Sequence, residues 1–340
     1  MSDSRPDALP VGPADLPDFL AYAAAYGPSH DESFVPGPGF APGPEKPSFL
    51  LRGPSGEAAG AVSLLLSRSQ LASGRGRFAL LHSGGAGGGS REAYRALLRA
   101  ALGAAGGKVR SLYLFLPEEL AQPRGWLEEA GFSYERTAYL MGREPDGPGG
   151  ATGGAAGMGG LGGVTGGPGG ATAARMGPPG AALPEGYSLE AVGRGDKARL
   201  AEFVAVRNRN FRDVAGSSPA TVEDWEEHFD EPEALPGGIL LLRSPEGEAC
   251  GTLFLERDEE EGSVFIGAVS VDEGRRGRGL GRALVREAVS RGAALGLPRA
   301  FLSVNARNDK ALGLYLAEGF TARKAMCCLS AGLEELARRI

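Results

Sequence analysis

The sequence contains one pattern twice, in two widely separated stretches. Residues 52–60 read RGPSGEAAG and residues 243–251 read RSPEGEACG, so Arg243 corresponds to Arg52 and Gly251 to Gly60. In both stretches a turn with Pro and Gly separates two apolar runs, which is typical of a β-hairpin. Further along, the apolar run 112–116 parallels 301–305 at nearly the same offset. Because this repeat is far longer than the period of a solenoid, the sequence predicts two domains of one fold.

The two copies are separated by a stretch that offers almost no side chain to a core. Residues 147–170 include 14 glycines among 24 residues. Glycine loses more backbone entropy on ordering than any other residue, and it has nothing to bury. We therefore expect a flexible linker over 146–183. It divides the chain into an N-terminal domain at 1–145 and a C-terminal domain at 184–340.

Composition predicts a soluble, cytoplasmic protein. No apolar run approaches the length of a membrane-spanning helix, and the first residues lack the apolar core of a secretory signal. The three cysteines include the adjacent pair Cys327 and Cys328, which argues against a disulfide framework and for a reducing compartment. Cysteines and histidines lack metal-ligand spacing, so we expect no metal site. The net charge of −6 gives no reason to expect nucleic acid.

Strand and helix patterns alternate through the C-terminal domain. The predicted elements are a strand at 187–191, helices at 196–209 and from 221, strands at 238–243, 249–257 and 263–271, a helix at 281–294, a strand at 300–304, a helix at 310–317 and a strand at 321–330. Strands that lead into crossover helices predict an α/β (α+β) fold, in which a mixed sheet carries helices on both faces.

A basic, glycine-rich turn joins the strand ending at Val271 to the helix that follows. In order, this turn and the start of the helix contain Arg275, Arg276, Gly277, Arg278, Gly279, Gly281 and Arg282. Glycine lets backbone N–H groups approach a ligand, and the first turn of a helix leaves such groups unpaired. The helix dipole and the guanidinium groups favour an anion. The pattern predicts a pyrophosphate site, although a glycine-rich turn with solvated arginines has the same appearance.

Two common phosphate-binding motifs do not match. A dinucleotide-binding G-x-G-x-x-G would need glycine at position 282, which is Arg282. A P-loop would need Ser or Thr after Gly107-Lys108, where the chain has Val109, and a glycine where it has Leu102. The pattern that does match is R-x-x-G-x-G, read at positions 276, 279 and 281.

A second motif follows the arginine-glycine turn further along the chain. After the strand at 300–304 come Asn305, Asn308, Tyr315 and then Gly319-Phe320. The glycine stands where a helix ends in a left-handed residue. Together with the arginine-glycine turn, this order resembles the acyl-CoA site of the GNAT superfamily of N-acetyltransferases. The resemblance covers about 187–330, and the duplicated layout resembles the tandem-domain form of that family.

The resemblance implies a mixed, mostly antiparallel sheet in each domain and transfer of acetyl from acetyl-CoA to a primary amine by direct attack. The backbone of Val269 and Val271 would face the pantetheine and the thioester. The pyrophosphate would be held by Arg276, Gly277, Arg278, Gly279, Gly281 and Arg282. Asn305 and Asn308 would bind the pantetheine region, unless they only cap the helix. Tyr315 would be the general acid that protonates the thiolate, unless its ring only packs against the sheet.

The general base and the acceptor pocket are less sharply marked. Glu256 is a candidate base because its strand flanks the acceptor side in this family, although it could equally be a surface carboxylate, with water carrying the proton. Candidate acceptor residues on the two preceding helices are Asn208, Phe211, Arg212, Asp213 and Trp225. The alternative is that the aromatic residues belong to the core and the others are solvated.

The N-terminal copy lacks this chemistry. At the positions of Arg276, Gly279 and Gly281 it has Gly87, Ser90 and Glu92, and at those of Asn308 and Tyr315 it has Leu120 and Leu127. A carboxylate would repel a pyrophosphate, and a leucine cannot give a proton. We expect one acyl-CoA site per chain and a structural or acceptor-shaping N-terminal domain. The glycine loop at 84–90 leaves weak anion binding open.

Three functions remain compatible with the sequence. The first is acetyl transfer to an amine of a small molecule or peptide, and the second is acetylation of the cysteinyl amine of a small thiol. The third is a non-catalytic acyl-CoA sensor, against which the intact Tyr315 and Asn308 argue. We expect a monomer or a homodimer that engages neither nucleic acid nor membrane.

Overall fold

The computed structural model describes residues 7–27, 34–84, 89–145, 183–214, 217–258 and 262–340. Apart from residue 183, the linker expected at 146–183 lies outside this described part of the chain. Within these ranges, no helix combines the length and apolarity that crossing a bilayer requires.

The N-terminal half forms six strands and four helices in the described ranges. They are β1 (Ala8–Pro10), α1 (Leu16–Tyr26), β2 (Ser48–Arg52), β3 (Ala58–Leu65), α2 (Arg68–Ser73), β4 (Arg75–Ser83), α3 (Arg91–Ala105), β5 (Ser111–Pro117), α4 (Ala121–Glu129) and β6 (Ser133–Arg143). The hairpin predicted around residues 52–60 is present, because β2 and β3 pair in antiparallel register.

The C-terminal half repeats the order of the six strands and of the helices that follow the first, fourth and fifth of them. Its elements are β7 (Ser188–Ala191), α5 (Lys197–Phe211), α6 (Val222–His228), β8 (Ala234–Arg243), β9 (Ala249–Asp258), β10 (Ser263–Val271), α7 (Leu280–Ala294), β11 (Arg299–Asn305), α8 (Asp309–Ala317), β12 (Thr321–Gly332) and α9 (Leu333–Arg339). All predicted elements of this half are present within a few residues of their expected bounds. The final helix α9 was not expected from the sequence.

The repeat is visible in the element boundaries themselves. Helices α3 and α7 run from 91 to 105 and from 280 to 294, so the offset is the same at both ends. Helices α4 and α8 start at 121 and 309, and strands β5 and β11 start at 111 and 299. The offset in these two pairs is one residue smaller than in the α3 and α7 pair. The structure therefore aligns β5 with β11 one position away from the alignment of residues 112–116 with 301–305 made from the sequence. The prediction of two copies of one mixed α/β fold is confirmed.

The two copies share one continuous sheet of twelve strands. Its order is β1-β2-β3-β4-β5-β12-β6-β11-β10-β9-β8-β7. The last strand of each half therefore lies in the other half: β12 pairs with β5, and β6 pairs with β11, while β6 and β12 pair with each other. The sequence predicted two sheets, and the structure joins them by this strand exchange.

The exchanged strands also bring core residues with them. Met141 of β6 is fully buried in the core of the C-terminal half, together with strands β9 to β11. Leu329 of β12 and Leu336 of α9 are fully buried in the core of the N-terminal half. Each leucine or methionine buried in this way contributes roughly 1.5–3 kcal/mol. Neither half can complete its core without the other.

We therefore expect fragments 1–145 and 183–340 to fold only together. Alone, each would expose the long sheet edge of β5 or β11 and lose an apolar layer of its core, and such edges promote aggregation. Circular dichroism and thermal unfolding of the separate and mixed fragments test this. A cooperative unfolding transition for 183–340 alone would contradict it.

Candidate functional site

The site lies where two neighbouring parallel strands separate. Strand β10 pairs with β11 only from Ser263 to Ile266, opposite 299–302, and in the described residues the pairing ends there. The register of β10 against β9 also shifts between Ile266 and Ala268, which marks a β-bulge at Gly267. A bulge increases local twist and redirects a strand. The result is an opening beside the last residues of β10, where Val269 and Val271 lie.

The arginine-glycine turn lies at the end of β10 and begins α7. Gly277 and Gly279 have φ angles of +78° and +80°, a left-handed conformation that glycine adopts without strain. Gly279 is the N-cap of α7, and no side chain caps the helix there. Its first N–H groups therefore lie at the positive end of the helix dipole without a side-chain partner at the N-cap. This is the geometry of an anion site.

The arginines of this turn have different partners. Arg276 folds back, and its Nε donates to the carbonyl of Val271 at 2.9 Å. Arg275 pairs with the exposed carboxylates of Glu248, at 2.9 Å, and Glu246. Contact of Arg275 with a phosphate, which the sequence pattern suggested, stays a prediction.

Arg282, in the first turn of α7, also has an acidic partner. Its Nε lies 2.9 Å from a carboxylate oxygen of Glu318, whose side chain is 9% exposed and also binds Arg286 at 2.6 Å. The pairing links α7 to the end of α8. Contact of Arg282 with a pyrophosphate stays a prediction.

The corresponding helix of the N-terminal half begins differently, with a side-chain cap and a carboxylate in its first turn. Ser90 caps α3, and its Oγ accepts a hydrogen bond from the N–H of Ala93 at 3.2 Å. Glu92 adds a carboxylate to the first turn, whereas α7 has no acidic residue there. Tyr94 and Trp126 pack between α3 and α4 with ring centroids 5.3 Å apart. In the C-terminal half the equivalent positions are the smaller Ala283 and Leu314, so only that half leaves space.

Placing the N-terminal copy's carboxylate at Gly281 is expected to weaken acetyl-CoA binding about tenfold or more, or about 1.4 kcal/mol. In Gly281→Glu a negative charge would face the bound anion at the wrong end of the helix dipole. A Cβ at this position would lie 3.4 Å from Leu314, an ordinary contact. Isothermal titration calorimetry measures the affinity, and Gly281→Gln is the control of equal size. Equal losses in both variants would refute the electrostatic explanation.

Tyr315 lies on α8, and its ring packs in the core beside Phe320 at a centroid distance of 5.9 Å. The residue is 9% exposed. Burial raises the pKa of the Tyr315 phenol to about 12, so the hydroxyl is protonated at neutral pH. The ring of Tyr315 therefore does pack in the core, as one of the two sequence interpretations expected, and its hydroxyl still carries a proton that it could donate.

The two asparagines before Tyr315 make local hydrogen bonds. Asn308 is the N-cap of α8, and its Oδ1 accepts from the N–H of Ala311 at 3.2 Å. The Oδ1 of Asn305 accepts from the N–H of Arg307 at 3.0 Å. Helix capping, the alternative considered from the sequence, is thus present. Binding of pantetheine by these residues stays a prediction.

Glu256 lies on β9, opposite Phe265 and next to the bulge. A Cβ built on Gly267 would lie 3.4 Å from Glu256 Oε2, which places the carboxylate beside the start of the opening. Its side chain is 24% exposed. Burial raises the pKa of Glu256 to about 7, His228 lowers it, and Glu231 and Glu233 raise it. A carboxyl group with this pKa can take up and release a proton near neutral pH.

Glu256 and Tyr315 lie on opposite faces of the sheet. Side chains alternate along a strand, so Glu256 shares a face with Phe254, which packs against α5 and α6. Tyr315 packs on the other face with Leu253 and Leu255. The gap between β10 and β11 is an opening through which groups on both faces can reach one ligand.

The candidate acceptor residues are placed unequally. Trp225 is buried, and its ring lies 4.6 Å from Phe254. Asn208 uses both ends of its amide on Ala220, at 2.8 and 3.0 Å, and so holds the segment before α6. Phe211 is partly buried at the end of α5. Arg212 and Asp213, which follow it, are exposed.

Sequence reasoning missed two residues beside Glu256. His228, at the end of α6, has Nε2 3.9 Å from Glu256 Oε1, and Nδ1 in contact with a carboxylate oxygen of Glu231. One ring nitrogen of His228 and one carboxylate oxygen each of Glu231 and Glu256 lie within 4.8 Å of one another. The three histidines are far apart in sequence, so their spacing gives no signal of a site. The signal that is present is Glu231, which lies three residues after His228, within one helical turn.

The sequence of the C-terminal half is similar to those of known acetyltransferases. Residues 201–320 match the sequence profile of the Acetyltransferase (GNAT) family. A mycothiol acetyltransferase of Clavibacter michiganensis is 30% identical over 138 residues, 41% of this chain and 44% of that protein. Another, of Thermobispora bispora, is 32% identical over 156 residues, 42% of this chain and 49% of that protein. The chain thus spans about half the length of the curated relatives it matches.

Solved structures match over almost the whole chain. A GCN5-related N-acetyltransferase from Sphaerobacter thermophilus has a TM-score of 0.64 at 20% identity, covering 98% of this chain and 97% of that one. A tandem GNAT protein from the clavulanic acid biosynthesis pathway also has a TM-score of 0.64, at 15% identity, covering 96% and 98%. The whole chain therefore has the tandem GNAT fold. Over residues 201–320 its C-terminal half is similar in sequence to the GNAT family of acetyltransferases.

Proposed function

We propose that the chain is an N-acetyltransferase that moves acetyl from acetyl-CoA to a primary amine of a small molecule or peptide. The observation that carries this proposal is the uncapped start of α7 beside the gap between β10 and β11. Glu256 and Tyr315 lie on opposite sides of that gap. Since only the C-terminal half combines these features, we expect one active site per chain.

In the proposed reaction the turn at 276–281 and the start of α7 bind the pyrophosphate of acetyl-CoA. The pantetheine enters the gap, and the backbone N–H groups near Val269 polarise the thioester carbonyl as negative charge develops on its oxygen. Glu256 takes a proton from the acceptor ammonium, and the free amine attacks the carbonyl carbon.

The carbon–sulfur bond then breaks, and the thiolate receives a proton from Tyr315. A phenol with a pKa of about 12 is a weak acid, so we expect it to hydrogen-bond the sulfur first and give up its proton as the thiolate leaves. The nitrogen of the new amide loses its remaining extra proton, which returns Tyr315 to the phenol form, so the neutral amide and the free thiol are the products.

The N-terminal half supplies structure and no second reaction. Leu65 is the counterpart of Glu256, because it pairs with Arg77 in β4 as Glu256 pairs with Phe265 in β10. Leu127 stands at the position of Tyr315 and is fully buried. Neither leucine can exchange a proton.

A narrower candidate is mycothiol acetyltransferase activity, in which the acceptor would be a cysteinyl amine. The observation in its favour is that relatives with that name match the C-terminal half at 30–32% identity. The layout of two halves in one chain supports the same assignment. We expect the protein to act in the cytoplasm.

The release of thiol from acetyl-CoA, followed with a chromogenic reagent, tests the proposal against a panel of amines that includes cysteinyl compounds. We expect release that depends on the acceptor, and calorimetry with a stoichiometry of one acetyl-CoA per chain. Tight binding without release for any amine would favour the sensor function instead. Two equivalent binding sites would contradict the structural role of the N-terminal half.

A further inference from the structure

His228 lies between two carboxylates, one partly buried and one exposed. Its Nε2 is 3.9 Å from Glu256 Oε1, and its Nδ1 contacts Glu231, whose side chain is 53% exposed. The imidazole itself is 12% exposed. The three side chains form a continuous line from the gap between β10 and β11 to solvent.

The Nε2 atom of His228 is buried and, among the described residues, has no hydrogen-bond partner. A buried polar atom without a partner is costly, and such atoms often mark a functional group. The distance of 3.9 Å to Glu256 is too long for a hydrogen bond. A movement of about 1 Å by either side chain would form one.

The ring is held in this position by its neighbours. It packs edge-on against Phe254 at a centroid distance of 4.6 Å and against Trp225 at 5.7 Å. Helix α6, which ends at His228, is fixed at its start by a capping box between Thr221 and Asp224. In this packing the imidazole has one nitrogen toward each carboxylate.

We propose that Glu256, His228 and Glu231 form a proton relay that takes the acceptor's proton from the reaction site to solvent. The relay rests on the proposed function. Glu256 accepts the proton from the ammonium and passes it to Nε2 of His228. Nδ1 then releases its proton to Glu231, which exchanges with water. Each group returns to its starting state once the imidazole has changed tautomer.

The charged groups around Glu256 suit this transfer. His228 faces it from α6, and Glu231 and Glu233 face it from the loop after that helix. An imidazole can accept a proton at one ring nitrogen and release a proton from the other, which is what the relay requires of His228.

The first experiment needs no acceptor. The chain has three histidines, so ¹⁵N-histidine NMR resolves the His228 ring nitrogens during a pH titration. If the two side chains exchange a proton, Glu256→Gln should change how the His228 ring signals depend on pH, because the carboxylate that faces Nε2 is lost. Signals with the same pH dependence in the wild type and in Glu256→Gln would overturn the relay.

The second experiment follows turnover of acetyl-CoA with an amine from the panel. His228→Gln and Glu231→Gln should each lower kcat about 10-fold or more in dilute buffer. Added imidazole should restore part of the loss in His228→Gln, because a soluble base replaces the ring. Glu233→Gln is the matched control: it removes a nearby carboxylate outside the relay, and we expect kcat within about twofold of wild type. Equal effects of Glu231→Gln and Glu233→Gln would overturn the relay.

A third arm distinguishes the relay from a metal site built of the same three side chains. Treatment with EDTA should leave turnover unchanged. Loss of turnover that Zn²⁺ restores in the wild type, but not in His228→Gln, would overturn the relay. If no amine supports turnover, the proposed function fails, whereas the NMR titration still reports whether Glu256 and His228 share a proton.

Discussion

Glu256→Gln is expected to lower kcat/KM about 100-fold or more, with little change in acetyl-CoA affinity. General base catalysis is commonly worth a factor of this size, and glutamine keeps the volume of the side chain while losing the base. The carboxylate lies beside the bulge at Gly267, on the strand next to the opening. Steady-state kinetics against acceptor concentration and calorimetry with acetyl-CoA measure the two effects separately.

The pH profile gives the same prediction a sign. Burial raises the pKa of Glu256 from 4.5 to about 7. Glu256 acts as a base only when ionised, so wild-type kcat/KM should rise with pH through about 7. That limb should be absent in Glu256→Gln. A profile that is unchanged in the variant would remove Glu256 from the role of base.

Stability should show the opposite trend with pH. A carboxyl group whose pKa is raised on folding binds more protons in the folded state between the two values. The contribution of Glu256 to the free energy of unfolding therefore falls as pH rises from 4.5 to about 7. In Glu256→Gln this dependence should be weaker, which thermal unfolding across that window can measure.

Tyr315→Phe is expected to lower the rate of acetyl transfer about 100-fold while leaving acetyl-CoA affinity within about twofold. Phenylalanine preserves the ring that packs beside Phe320 at 5.9 Å, so only the hydroxyl and its proton are lost. Rapid-mixing measurement of the first turnover isolates the chemical step from product release.

Tyr139→Phe is a suitable control for this substitution. Tyr139 is partly buried, packs against the same core cluster and pairs with Val304 of β11. We expect it to retain wild-type turnover. Unchanged turnover in Tyr315→Phe would remove that residue from the role of acid, and equal losses in both variants would point to a packing effect.

Much of the C-terminal half could be predicted because its signals are local. Thr221 predicts a helix start through its own side chain, and the capping box with Asp224 is present. Gly319 predicts a left-handed residue at the end of α8, and it has a φ of +82°. Such features depend on a few neighbouring residues, which the sequence displays directly.

Other features depend on contacts between distant residues. The apolar pattern of β12 predicts a strand, but nothing in it says that the neighbour is β5, because pairing partners are chosen by the whole fold. His228 and Glu256 are far apart in sequence and meet only because α6 packs on β9. The pairing of Arg282 with Glu318 likewise joins two helices. Local pattern carries no information about these meetings.

The exchange of β6 and β12 bears on the history of such a chain. Each half supplies one strand to the sheet of the other, and β6 of the first half pairs with β11, the strand that borders the gap. A substitution that destabilises β6 would therefore disturb the site in the C-terminal half. Selection for the activity proposed for that site thus acts on the N-terminal half as well.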